Sequence, residues 1–329
     1  MPHYHWGLHL LAFVFAFSLS AHAQVRPEIR PLESMTLTSQ QFLLGEQNGE
    51  ATLLAGELRI PVNASGRIPA VVLVHGSGGL GEYIERWAQE VNNIGVAAFL
   101  LDSFSGRGIV TTIDDQSQLS NVAMMVDAYR ALAMLAQDSR IDPTRIAVMG
   151  FSKGATASVY SSMERFRKAY APANLSFAAH IGLYTPCNTR YHEDEILTGK
   201  PIRLFHGTAD IWVSIERCRE YVARLKKRGV DVTLTEYAGA QHNYDNFRRP
   251  RLEFPDAQNT SKCLLTEGDH GIILNSKTGA PFTLNDACVE KGAWVVYDEA
   301  ATVATVKAVK DFLTATFKLK AAVSQSSNR

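Results

Sequence analysis

Short runs of apolar residues alternate with amphipathic stretches along most of the chain. Residues 70–74 form one uninterrupted aliphatic run, which is typical of a parallel strand buried on both faces. The same signature recurs at 95–101, 145–149, 178–183 and 201–205. Helical periodicity lies between these runs, at 82–93, 121–137, 153–167 and 214–227. Strands that alternate with helices predict an α/β fold with a mostly parallel, doubly wound sheet.

The pattern changes at both ends of this region. Before residue 62 the pattern predicts two antiparallel strands that lie at the edge of the sheet. Residues 244–297, which we call the excursion, contain Pro250, Pro255 and Pro281, and they predict a loop-rich insertion with a hairpin over 271–296. Helical periodicity returns at 301–317, and residues 318–329 read as a polar tail. We therefore expect one domain over 24–329.

The first 23 residues contain no Lys, Arg, Asp or Glu and have an apolar core at 10–19. That core is too short to span a bilayer, and it ends in Ala21-His22-Ala23, an A-x-A cleavage site. These features predict a signal peptide over 1–23 and an exported protein, periplasmic or extracellular. An uncleaved short anchor is the alternative, because no Lys or Arg precedes the core. No later segment is apolar for 18 residues, so we expect no stable membrane span after cleavage.

If the protein is exported, its four cysteines are expected to be oxidised. An even number of cysteines in an oxidising compartment indicates two disulfides. Four cysteines allow three pairings, and proximity along the chain favours Cys187–Cys218 and Cys263–Cys288. Four buried thiols are the alternative. The spacing lacks the C-x-x-C pairs of a zinc site, and we expect no metal.

Composition narrows the class of partner. Lys plus Arg and Asp plus Glu each total 33, so the formal net charge of the 329 residues is zero. A chain that binds nucleic acid or an anionic membrane usually needs a basic excess. We therefore expect a small-molecule substrate and no nucleic acid.

The sequence Gly150-Phe151-Ser152-Lys153-Gly154 follows one predicted strand directly and opens a predicted helix. This is a G-x-S-x-G motif in the strand–turn–helix context that presents a serine nucleophile. Glycine on either side of the serine avoids clashes with the neighbouring strand and helix. The motif predicts that Ser152 is a catalytic nucleophile.

A serine hydroxyl needs a base to remove its proton and an acid to orient that base. Asp210 lies 58 residues after Ser152, on the loop after the 201–205 strand, and His242 lies 32 residues further on, beyond a strand at 232–237. Both therefore fall at the same sheet edge as Ser152, and we expect Asp210 to orient His242. Asp210 as a simple helix N-cap and His242 as an ordinary loop residue are the alternatives, and His270 is the rival base.

Val74-His75-Gly76-Ser77-Gly78-Gly79 follows the first buried strand. Its glycines let backbone N–H groups approach a developing oxyanion, so we expect donors from Ser77 or Gly78 together with the N–H of Lys153. A phosphate cradle is the alternative, but the loop lacks Walker spacing and its lysine.

The order of HGSGG, DSFSGRG, GFSKG, HGTAD and AQHNYDN resembles the dienelactone hydrolase family of α/β-hydrolases, over residues 69–246 and the final helix. The resemblance implies an α/β-hydrolase fold, no cofactor, and Ser152, Asp210 and His242 as nucleophile, acid and base. It also implies that Arg107, in DSFSGRG, meets a substrate carboxylate, although a loop-holding ion pair explains that arginine equally well. The founding members use cysteine as the nucleophile, so the serine favours general ester or lactone cleavage over dienelactone itself.

The sequence thus predicts an exported serine hydrolase of carboxylic esters or lactones that works through an acyl-enzyme. A prolyl-oligopeptidase-like peptidase is one alternative, because such domains share the sheet and the order of the triad. A non-catalytic binding protein on a hydrolase fold is the other.

Overall fold

The apolar runs form the strands of one central sheet. The computed structural model describes residues 24–247 and 250–319, so the predicted signal peptide and most of the predicted polar tail lie outside the described residues. The strands are β1 (Val25–Thr36), β2 (Glu50–Pro61), β3 (Ile68–Val74), β4 (Ala97–Asp102), β5 (Ile141–Phe151), β6 (His180–Leu183), β7 (Thr189–Arg190), β8 (Ile202–Gly207), β9 (Val232–Tyr237), β10 (Leu252–Asn259), β11 (Leu265–Glu267), β12 (Ile273–Asn275) and β13 (Glu290–Val295). The helices are α1 (Ser39–Leu43), α2 (Glu82–Asn92), α3 (Ala123–Gln137), α4 (Lys153–Tyr160), α5 (Glu164–Tyr170), α6 (Ile215–Lys227) and α7 (Glu299–Phe317).

The central sheet has eight strands in the order β1-β2-β4-β3-β5-β6-β8-β9. β1 pairs with β2, and β2 with β4, in antiparallel orientation. From β4 to β9 every neighbouring pair is parallel. Both the predicted α/β class and the antiparallel edge are therefore confirmed. No helix of the described residues is long and apolar enough to cross a membrane.

Helices cover both faces of this sheet, which is why its central strands are apolar throughout. Every residue of β3 is buried, and its side chains alternate between two hydrophobic clusters. Val72 and Val74 join the cluster that contains α3, whereas Val71 and Leu73 join the cluster that contains α2 and α7. Parallel strands end at one edge, so the loops after β3, β5, β8 and β9 converge there.

The helix predicted over 153–167 is wrong in one respect, because the structure divides it into α4 and α5. The hydroxyls of Ser161 and Ser162 donate to the carbonyls of Ser158 and Val159, 2.8 and 2.6 Å away. Met163 then adopts an extended conformation, and its bridge to Leu197 draws the chain away from the helix axis. Serine side chains that bond the preceding turn weaken a helix in this way.

The excursion separates β9 from α7, as expected, but the predicted hairpin over 271–296 is wrong. β12 pairs with β11, and β13 pairs with β10, so each strand finds an earlier partner. β11 also pairs with β7, which fixes this small sheet to the body of the domain. The two ends of the excursion lie side by side, since the N–H of Asp298, the residue that follows it, donates to the Tyr244 carbonyl at 2.9 Å.

Candidate active site

Ser152 lies at a sharp turn between β5 and α4. Its φ of 51° and ψ of −117° are strained for a residue with a side chain. A Cβ on Gly154 would lie 2.2 Å from the Val74 carbonyl oxygen, so the turn passes too close to β3 for any other residue. This close approach presents the serine hydroxyl at the carboxyl edge of the sheet.

The side chains of Ser152, His242 and Asp210 form a continuous chain of hydrogen bonds. Nε2 of His242 is 3.0 Å from Oγ of Ser152, and Nδ1 is 2.7 Å from Oδ2 of Asp210. An ionised carboxylate only accepts, so Nδ1 carries the proton and Nε2 is the acceptor for the serine hydroxyl. The structure therefore brings the three residues together. His270, the rival base, lies exposed in a short turn where its carbonyl accepts a bond from Gln40.

The side chain of Asp210 is completely buried and accepts three hydrogen bonds, one of them from His242. The backbone N–H groups of Trp212 and Val213 donate to Oδ1, both at 2.9 Å. Nε2 of His206, which is 3.1 Å from the Val213 carbonyl oxygen, also lies 3.2 Å from Oδ2 of Asp210. Burial by itself raises the pKa of Asp210, but the charge and hydrogen bond of His242 and the adjacent His206 imidazole outweigh it and hold the pKa well below its usual range. Asp210 is thus an anion fixed in one orientation.

Aromatic side chains hold the imidazole of His242 from two sides. The rings of Tyr184 and Trp212 lie 4.7 and 5.0 Å from it, centroid to centroid. The Tyr184 hydroxyl donates to the buried carboxylate of Asp245 at 2.9 Å, and the Trp87 indole donates to the same carboxylate at 2.6 Å. Sequence reasoning missed these supports, although Asp245 stands in the AQHNYDN motif.

The loop after β3 offers backbone donors to the same place. The Gly76 N–H donates to the Tyr83 hydroxyl at 2.9 Å, and the Gly79 N–H donates to the Gly76 carbonyl at 3.1 Å. Within 24–247 and 250–319, no acceptor takes the N–H of Ser77, Gly78 or Lys153. Ser77 and Lys153 line the cavity that contains Ser152, whereas Gly78 is not part of that lining.

The Lys153 side chain is buried beside the nucleophile. Nζ donates to Oε1 of Gln116 at 3.0 Å and to its carbonyl oxygen at 3.4 Å. No carboxylate of the described residues lies within ion-pair distance of this ammonium group. Burial lowers the pKa of Lys153 to about 7, and the charge of Asp115 opposes that shift. Sequence reasoning assigned a role only to the backbone of this residue.

A cavity of about 830 Å³ opens above Ser152. Its walls come from the α1 segment, the loop around Gln116, the segment after Cys187 and the excursion. The excursion supplies Gln258 from β10, Leu265 from β11 and Ile273 from β12. The lining mixes amide and hydroxyl side chains with apolar ones, so the excursion shapes the space in front of the nucleophile.

Arg107 does not lie in this cavity lining, and its contacts favour the loop-holding interpretation. Its guanidinium forms two bonds with the carboxylate of Asp127 and further bonds with the Ser103 and Met35 carbonyls and the Thr36 hydroxyl. All five N–H groups are therefore occupied inside the protein. The expected contact with a substrate carboxylate is corrected, because no donor of Arg107 is left to make it.

The structure joins Cys187 to Cys218 and Cys263 to Cys288, with Cα atoms 5.0 Å apart in each pair. These are the pairs that proximity along the sequence favours. Two disulfides suggest folding in an oxidising environment. Among the described residues, no three His, Cys, Asp or Glu side chains are grouped so that they could hold a metal ion.

The sheet order and the strained serine between β5 and α4 define an α/β-hydrolase fold. The chain belongs to the dienelactone hydrolase family, whose profile matches residues 54–317. Membership makes the protein a carboxylic ester hydrolase, the class of enzyme predicted from the sequence.

Individual proteins are similar to this chain in sequence or in fold. A Bradyrhizobium protein named "Probable 2-oxo-3-(5-oxofuran-2-ylidene)propanoate lactonase" is 26% identical over 227 residues, which cover 61% of this chain and 82% of the relative. A dienelactone hydrolase-like promiscuous phosphotriesterase from metagenomic libraries superposes with a TM-score of 0.57 at 17% identity, over 88% of this chain and 99% of that one. An α/β-hydrolase enzyme from a Medee basin deep-sea metagenome library gives 0.51 at 16% identity, over 91% and 99%. At these identities the two solved structures are evidence of a shared fold.

Proposed function

We propose that the protein cleaves carboxylic esters or lactones through a Ser152–His242–Asp210 triad and a covalent acyl-enzyme. One observation carries the proposal: His242 contacts Ser152 through one ring nitrogen and Asp210 through the other, at 3.0 and 2.7 Å. A nucleophile, a base and an orienting acid in hydrogen-bond reach are what acyl transfer by serine needs.

The first half of the reaction transfers the acyl group to the enzyme. Nε2 of His242 takes the hydroxyl proton of Ser152 as Oγ attacks the carbonyl carbon and the carbonyl π electrons move to oxygen. The N–H groups of Lys153 and Ser77 donate to that oxyanion, while Asp210 stabilises the imidazolium. The ester C–O bond then breaks, and His242 returns its proton to the leaving alkoxide.

Water completes the reaction. His242 deprotonates a water molecule that attacks the acyl-enzyme, and the second tetrahedral intermediate collapses to the acid with the proton returned to Ser152. For a lactone the leaving alkoxide stays tethered to the acyl group, so the single product is a hydroxy acid. The Bradyrhizobium relative, which its name calls a lactonase, supports the inclusion of lactones.

We also propose that the protein is exported after cleavage behind Ala23. The two disulfides support this proposal, because such bonds persist in oxidising compartments. Mass spectrometry of the protein secreted from its own host should find Gln24 as the first residue. A chain retained with residues 1–23 attached would contradict cleavage.

Labelling and turnover together test the catalytic proposal. The wild-type protein should react with a fluorophosphonate at Ser152 and hydrolyse p-nitrophenyl butyrate, and Ser152→Ala should lose both properties. Ser214→Ala is the matched control, because Ser214 lines the same cavity but its hydroxyl caps no backbone group of α6. A folded wild-type protein that neither labels nor turns over esters would favour the binding-protein alternative, and cleavage of prolyl p-nitroanilides but not of esters would favour the peptidase.

A further inference from the structure

Gln116 connects two parts of the site that follow neighbouring strands of the sheet but lie far apart along the chain. Its Nε2 donates to the hydroxyl oxygen of Ser77 at 3.0 Å, and its Oε1 accepts from Nζ of Lys153 at 3.0 Å. Ser77 follows β3, and Lys153 begins α4 after β5. Gln116 itself stands in a short 3-10 turn between β4 and α3. One side-chain amide therefore spans the gap between the two proposed oxyanion donors.

The lysine decides which way this amide points. A protonated amino group only donates, so it holds Oε1 of Gln116 towards Lys153. The Ser77 hydroxyl lies 3.0 Å from Nε2 and 3.3 Å from Oε1 of the same amide, and the Thr112 hydroxyl lies 3.4 Å from Oε1. Without Lys153, only these two hydroxyls of the described residues remain to hold the side-chain amide. The backbone of Gln116 is held in turn, since its N–H donates to Oε1 of Gln258 on β10 at 2.7 Å.

Lys153 is buried without an ion-pair partner among the described residues, so a structural salt bridge does not explain its presence here. Its side chain is 2% exposed, yet its acceptors are two oxygens of one neutral residue. Burial of an ammonium group without a carboxylate partner is costly. A methionine of similar length would fill the same space at less cost, so the amino group at this position calls for a role other than packing.

We propose that the Lys153 side chain, acting through Gln116, is a positioning residue that holds the Ser77 loop so that the N–H groups of Ser77 and Lys153 point at one oxyanion. This inference rests on the proposed function and deepens it. The lysine side chain contacts no reacting atom; it fixes a donor. Loss of one oxyanion donor costs about 100-fold to 1,000-fold in kcat, and a misplaced donor should cost less, about tenfold to 100-fold.

Lys153→Met and Gln116→Met test the inference, with Gln47→Met as the control. Gln47 lies outside the cavity lining, and its amide donates to the Gly45 and Ala169 carbonyls. Each test variant should lower kcat for p-nitrophenyl acetate about tenfold to 100-fold with KM changed less than threefold. Each should also weaken inhibition by phenylboronic acid, which forms a tetrahedral adduct on Ser152, by a similar factor.

The double variant separates positioning from general damage. If both side chains act through one amide, Lys153→Met with Gln116→Met should lower kcat no further than the stronger single change. Multiplied effects in the double variant, or an unchanged kcat and boronate inhibition in either folded single variant, would overturn the inference. A wild-type protein without esterase activity would instead refute the proposed function. Circular dichroism identifies a variant that does not fold, and the other single variant then decides the matter.

Discussion

Arg107 and Asp127 form a two-point ion pair inside the protein, with Nη1–Oδ2 and Nη2–Oδ1 distances of 2.8 and 2.9 Å. The Asp127 side chain is fully buried and that of Arg107 is 5% exposed. The same guanidinium donates to the Met35 carbonyl and the Thr36 hydroxyl, so the pair fastens the end of β1 to α3 and to the loop after β4.

Arg107→Met should therefore destabilise the fold without changing substrate selection. The variant leaves the carboxylate of Asp127 buried without a counter-charge, which typically costs about 3–5 kcal/mol. Urea unfolding with the disulfides intact measures this loss, and Arg107→Met combined with Asp127→Leu should recover part of it. The ratio of kcat/KM for a carboxylated and a neutral ester of equal length should stay constant. A selective fall in kcat/KM for the carboxylated ester would show that Arg107 binds the substrate carboxylate after all.

Asp210→Asn should nearly abolish ester hydrolysis in a folded protein. The amide can present its N–H to His242, which favours the tautomer with the proton on Nε2 and removes the base from Ser152. We expect kcat to fall about 1,000-fold to 10,000-fold, the scale of such a change in other serine triads. Asp231→Asn is the control, because Asp231 pairs with Arg203 at the exposed start of β9. A fall in kcat of less than tenfold would show that Asp210 mainly orders the backbone before α6 and does not orient His242.

Loss of the Cys263–Cys288 disulfide should affect binding more than chemistry. The bond closes a loop of 25 residues within the excursion, which carries the cavity residues Leu265 and Ile273. Cys263→Ser with Cys288→Ser should lower the free energy of unfolding by about 3 kcal/mol. KM for a bulky ester should rise several-fold while kcat stays within threefold, because the Ser152–His242 contact lies outside the excursion sheet. A fall in kcat at constant KM would contradict this assignment of roles.

Lys153 should make the stability of the protein depend on pH in a particular direction. Burial lowers the pKa of Lys153 from 10.5 to about 7 in the folded protein. Between these values the unfolded chain binds more protons, so this lysine's contribution to stability rises with pH; its cost is full below pH 7 and disappears above about 10.5. The rise is at most about 1.4 kcal/mol per pH unit.

The comparison of the wild type with Lys153→Met isolates that contribution. Other groups titrate equally in both proteins, so their difference in free energy of unfolding should shift in favour of the wild type by about 3 kcal/mol from pH 6 to pH 9. Urea titrations at the two pH values measure it. An equal difference at both pH values would show that the folded lysine keeps an ordinary pKa.

Local patterns were sufficient for much of the fold. The buried run at 70–74 and the G-x-S-x-G motif could be interpreted from adjacent residues alone, although the close approach that requires glycine at 154 is to Val74 on β3. Chain order also predicted that Asp210 and His242 would meet Ser152, since the loops after parallel strands share one edge. The break between α4 and α5 was missed because a serine-containing helix and a serine-terminated helix have the same periodicity.

The sequence by itself determined the class of fold, the family and the three residues that face one another at the sheet edge, since these follow from periodicity, motif order and parallel topology. Only the tertiary structure decided how the strands of the excursion pair. It also decided that Arg107 forms its ion pair with Asp127 and that the Lys153 side chain donates to Gln116. Each of these depends on a partner far away in the chain whose side chain competes for the same donors. Local sequence does not record that competition, because its outcome depends on which atoms packing brings within hydrogen-bond distance.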